Sequence, residues 1–145
     1  MKQEEKDLLL KDLCARLPYG VKCSFGVDDA VYEITGINPT CCGASEIQAT
    51  HIDSSINGDF RLSSCKPYLF PLSSMTNELW VKEFNGFGIT RDFFEHGCES
   101  LEFNDCNPNL LDMVGFINQL IRNHFDIYGL IPKRLALDAT GLNIY

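Results

Sequence analysis

Leu9, Leu13 and Leu17 lie four apart, with Leu10 and Cys14 beside them, so residues 3–17 are predicted to form an amphipathic helix. Glu4, Glu5 and Asp7 in its first turn and Arg16 in its last suit the helix dipole, and Pro18 ends it. From Tyr19 the period drops to two. Val21, Cys23, Phe25 and Val27 alternate with Lys22, Ser24 and Gly26, the pattern of a half-buried strand. Asp28-Asp29 supplies a tight turn into residues 30–37, where Val31, Ile34, Thr35 and Ile37 favour a second, antiparallel strand closed by Asn38-Pro39. Residues 46–53 alternate again, with Ile47, Ala49 and His51 on one face. Asn57-Gly58 is a hairpin dipeptide that calls for positive φ at Gly58, and Phe60 and Leu62 open a fourth strand behind it. Residues 66–72 carry Pro67 and Pro71 and are predicted to be an edge strand or an extended connector, not a central strand.

Ser73, Ser74 and Thr76 offer N-cap oxygens to a short helix over 77–84, in which Trp80 and Phe84 share a face and which Asn85-Gly86 ends. Residues 98–103 show a strand alternation. Asn107 as N-cap and Pro108 at the first helical position open a long helix over 108–125, with Leu110, Met113, Val114, Ile117, Leu120 and Ile121 as its apolar stripe. The sum is a single α+β domain over residues 1–145. Its sheet is expected to be curved and antiparallel, a meander or small open barrel of four to five strands, flanked by two to three helices.

Composition narrows the functional classes. The 145 residues are 45% hydrophobic and 22% charged, values that support one folded core. Twelve Lys and Arg against 20 Asp and Glu leave a formal charge of -8, so neither direct nucleic-acid binding nor a membrane surface is expected. No apolar run is long enough to span a bilayer. The seven cysteines are odd in number and form no C-x-x-C pair, and the start Met1-Lys2-Gln3-Glu4-Glu5-Lys6 is not that of a signal peptide. A cytoplasmic protein with reduced, mostly buried thiols follows.

Candidate chemistry is thin. A metal site could be assembled from Cys41, Cys42, His51 and Cys65, and Asp28, Asp29, Asp53 and Asp59 could gather at one end of the sheet. Buried thiols and turn chemistry account for both sets, so no metal or cofactor is assigned. His124, at the C-terminal end of the long helix, is expected to be a structural cap whose protonated form the dipole favours. No phosphate-binding loop, zinc-protease motif or nucleophile elbow occurs, and no catalytic residue is assigned.

One region is denser. Tyr68, Phe70, Trp80, Phe84, Phe87, Phe93 and Phe94 lie beside carboxylates at 78, 83, 92, 95, 99, 102 and 105. Packing between helix and sheet accounts for such aromatics; aromatic anchors in a charged rim are also the anatomy of a protein-binding patch. On the second reading Trp80, Phe84, Phe93, Phe94, Glu83 and Glu95 are the binding residues, and Trp80 is at least partly exposed. The function expected is that of a non-enzymatic, cytoplasmic protein-interaction or accessory protein with a protein partner. The alternatives are a small hydrolase or thiol enzyme, and an acidic inhibitor that mimics nucleic acid.

Three segments, residues 11–22, 66–76 and 123–145, resemble a family of small proteins of Bacteroidetes-type gut bacteria, often associated with prophage or other mobile elements. The resemblance implies a bacterial, cytosolic origin and brings no activity, cofactor or catalytic residue with it.

Overall fold

Arg16 and Asp12 stand on the same helical face as Leu9 and Leu13, and all four are buried in the first helix, α1 (Gln3–Arg16). Cys14, grouped with the apolar stripe by its spacing, is exposed instead. A 3-10 turn, Leu17–Tyr19, follows, and Gly20 closes it at φ 73°, a left-handed conformation that glycine adopts without strain. The computed structural model describes residues 1–26, 30–39, 45–89, 91 and 110–145. The Asp28-Asp29 turn, the alternation at 98–103 and the Asn107-Pro108 helix start lie outside them.

Among the described residues, six strands form one open sheet: β1 (Lys22–Ser24), β2 (Tyr32–Pro39), β3 (Ser45–His51), β4 (Asn57–Arg61), β5 (Lys66–Leu69) and β6 (Leu137–Asp138). Their order is β4-β3-β2-β1-β5-β6. The first four make the expected antiparallel meander, whereas β5 returns to the far side of β1 and β6 runs parallel to β5. The sheet is therefore mixed and one strand larger than the sequence pattern suggests, because a two-residue strand is too short to show alternation.

Two further expectations need correction. β5 is an interior strand despite Pro67. The missing N–H is tolerated because β6 pairs only with Tyr68 and Leu69, past the proline. The turn between β3 and β4 does not sit at Asn57-Gly58, which already belongs to β4, with Thr50 opposite Asn57 and Ala49 opposite Gly58. Gly58 does not have positive φ; Ser55 does, at 56°. The His51 side chain fixes this turn, its Nδ1 accepting from the Asp53 and Ser54 backbone N–H groups at 3.1 Å each.

The described side chains pack into two cores. In the first, Leu9 and Leu13 of α1 cover the sheet face that carries Cys23, Ile34, Ile47, Ala49 and Leu69. The second lies between α2 (Asn77–Glu83) and α3 (Leu110–Arg122), around Met75, Trp80, Phe84, Phe116, Leu120 and Phe125. Thr76 is the N-cap of α2, its Oγ1 accepting from Leu79 N at 3.2 Å. α3 ends at Arg122 rather than near Phe125, because His124 turns to φ 59°. The chain beyond it is tied to the end of β5: Phe70 N donates to His124 O at 2.9 Å and Asp126 N to Phe70 O at 2.8 Å. No helix among the described residues is long and apolar enough to cross a membrane.

Candidate functional site

The expected aromatic patch divides. Trp80 is only 7% exposed and Phe84 is fully buried, so both are core residues and not surface anchors. The face they share on α2 turns toward α3, where the Phe116 ring lies 5.7 Å from Trp80 and 5.3 Å from Phe84. Apolar surface of that size is worth about 1.5–3 kcal/mol per side chain when buried, which is what draws the two helices together. Glu83 is half-buried and accepts from Gln119 Nε2 at 2.7 Å, a link between α2 and α3 rather than an acidic rim. Phe93, Phe94 and Glu95 lie outside the described residues.

An apolar surface does exist, on the other side of the same helix pair. Of the stripe read along α3, only Leu120 and Ile121 are buried, while Phe116, which lies off the stripe, fills the second core. Leu110 and Leu111 are 75% and 81% exposed, and Met113, Val114 and Ile117 between 42% and 48%. Leu110, Val114 and Ile117 recur at helical spacing, so these side chains share one face over the first two turns of α3.

A buried polar cluster joins the two cores. Arg16 Nε and Nη2 donate to the two carboxylate oxygens of Asp12 at 2.8 Å each, and Nη1 and Nη2 donate to Ile121 O and Phe125 O at 3.1 and 2.6 Å. Both side chains are excluded from water. Burial raises the Asp12 carboxyl above its ordinary value even with the guanidinium against it. Next to this pair, His124 stacks on Tyr145 with ring centroids 3.8 Å apart. Tyr145 is held by its hydroxyl, which donates to Tyr68 O at 2.8 Å and accepts from Lys22 N at 3.1 Å. Burial, followed by the positive charges of Arg16 and Lys22, lowers the His124 pKa to about 4. The imidazole is therefore neutral, the reverse of the protonated cap expected from the helix dipole: loss of solvent and two nearby cations outweigh α3's C-terminal carbonyls.

Thiol chemistry finds no support among the described residues. Cys23 and Cys65 are buried, and a hydrogen bond to Cys23 together with burial pushes the Cys65 thiol up, the opposite of an activated nucleophile. Of the residues considered for a metal, Cys65 is spent on Cys23 and His51 Nδ1 on its turn, Cys41 and Cys42 lie outside the described residues, and Asp53 and Asp59 stand exposed. Among the described residues no three His, Cys, Asp or Glu side chains are grouped to hold a metal ion. Of this cluster the sequence points to His124 but not to the Arg16–Asp12 pair beside it, although the Asp12/Arg16 spacing on the Leu9/Leu13 face is its signal. Comparison of the chain with protein-family models, curated proteins and solved structures finds no match in any of the three.

Proposed function

We propose that this domain is a cytoplasmic protein-interaction module that docks a basic amphipathic helix on the outward face of α3. The carrying observation is the run of five apolar side chains, Leu110 to Ile117, left open on a helix whose opposite face builds a core. Helix-in-groove recognition uses anchors at this spacing. Charge selects the occupant: the chain carries -8, so a second copy meets like charge while a basic partner is attracted. The same charge argues against direct contact with nucleic acid. The resemblance to proteins of phage and mobile elements agrees with an accessory role of this kind.

The test uses fluorescence anisotropy with two short synthetic helices, one of Leu and Lys and one of Leu and Glu. The Leu/Lys peptide should bind at least about ten-fold more tightly, and Leu111→Asp with Val114→Asp should weaken it by at least about ten-fold without lowering the melting temperature. Equal binding of both peptides overturns the proposal, as does an unaffected double variant. So does a free protein that sediments as a dimer which the double variant dissolves.

A further inference from the structure

A cleft of about 480 Å³ opens between the 3-10 turn Leu72–Ser74, the end of α3 and Tyr145. That volume falls in the range of small-molecule sites. Phe70, Leu79, Phe125 and Tyr145 give it an apolar and largely aromatic lining, suited to a flat apolar body. Arg122 stands at its edge, and the guanidinium makes no hydrogen bond or ion pair among the described residues. Lys22, whose ammonium reaches the Ile144 carbonyl beside Tyr145, likewise has no acidic partner among them. In a chain of net charge -8 these two cations stand out, and the charge of Lys22, with that of Arg16, adds to burial in keeping His124 uncharged.

Among the described residues, two lining side chains carry an acceptor without a donor, one of them buried. Asn123 spends its Nδ2 on Gln119 O at 2.9 Å, which leaves Oδ1 open. His124 is only 6% exposed, and its Nδ1 is the buried side-chain polar atom without a hydrogen-bond partner among the described residues. The neutral ring donates to the Tyr19 backbone, so Nδ1 is left as an acceptor. Buried polar groups are nearly always paired; this nitrogen is itself closed to solvent, so the acceptor a ligand can reach in the cleft is Asn123 Oδ1.

From Arg122, unpaired among the described residues, the aromatic lining and the open Asn123 Oδ1, we infer that this cleft binds a small aromatic carboxylate that also carries a hydrogen-bond donor. The carboxylate pairs with Arg122, the ring lies against Phe70, Phe125 and Tyr145, and the donor serves Asn123 Oδ1. This site is separate from the outward face of α3 and does not depend on it.

The probe is 4-hydroxyphenylacetate, titrated into the ¹⁵N-labelled protein and followed by backbone and side-chain shifts of residues 122–124 and 145. Its neutral amide should bind at least about ten-fold more weakly, because charge-assisted bonds to Arg are the stronger kind. Phenylacetate, which lacks the donor, should bind several-fold more weakly. Arg122→Gln, a change on the surface that leaves the melting temperature alone, should erase the preference for acid over amide. Absence of shifts at millimolar probe overturns the inference, as does equal affinity for acid and amide, for phenylacetate and the hydroxylated probe, or for wild type and Arg122→Gln.

Discussion

Arg16→Met tests whether the two cores are held together by the buried ion pair. Methionine keeps most of the volume while removing all four hydrogen bonds that Arg16 makes to Asp12, Ile121 O and Phe125 O. The Asp12 carboxylate is then stranded without water, a change that costs about 3–5 kcal/mol. Protonation is its way out. Holding an ordinary carboxyl protonated at pH 7, about three units above its free value, costs about 4 kcal/mol, so the two routes agree. The two carbonyls that lose donors add about 1 kcal/mol each. Urea unfolding at pH 7 should therefore show a loss of about 5–7 kcal/mol with unchanged m, a large share of the roughly 5–15 kcal/mol a domain has.

The sign with pH is fixed by the raised carboxyl. A folded-state pKa above the unfolded one contributes stability that is present below the ordinary carboxylate range and lost as pH rises through the folded value. In Arg16→Met the folded value rises further, so the variant should regain about 1.4 kcal/mol per unit as pH falls from 7 toward 4. Adding Asp12→Leu removes the stranded charge and should return all but the carbonyl losses of about 1–2 kcal/mol. A single variant that loses less than about 1 kcal/mol, or whose loss is the same at pH 5 and pH 7, refutes the reasoning.

Three further outcomes follow from the same packing. His124, with its pKa lowered to about 4, should leave stability intact above pH 6.5 and cost roughly 2–4 kcal/mol as pH falls through 4; an imidazole NMR titration checks the value and His124→Gln should flatten the slope. Gly58→Val should cost about 1–3 kcal/mol by thermal melting. A Cβ there lies 2.9 Å from the Phe60 ring, which Phe25 pins by stacking at 3.9 Å. Acrylamide should quench Trp80 poorly in the native protein, and Trp80→Ala should cost about 3–5 kcal/mol in urea.

Local signals carried the elements whose chemistry is local. The Leu9/Leu13 spacing, the Ile47/Ala49 alternation and the Thr76 cap each appear where the pattern puts them. Features set by distant partners were not legible. Nothing near Pro67 says that β6 begins one residue past it, and nothing near Asn57-Gly58 says that His51 already closes the turn with its own ring. Dipole arguments put a proton on His124; burial and two cations from other parts of the chain remove it.

The candidate surface failed in sequence for a related reason. Periodicity shows which residues share a face, but it does not show which face finds a partner. α3 is apolar on more than one side, and a helix packed against a seven-residue α2 can bury only part of that surface. Phe116 and Leu120 win because Trp80, Phe84 and Phe125 offer rings of matching depth, and Arg16 pins the helix end through Ile121 O. With that end fixed, the first two turns carry Leu110, Val114 and Ile117 outward. A polar substitution there would leave the same core in place and cost the fold little, so selection for folding alone does not explain five apolar side chains on that surface. On the proposed reading, recognition of another apolar surface does, which makes the α3 face, and not the buried Trp80 and Phe84, the place to look for a partner.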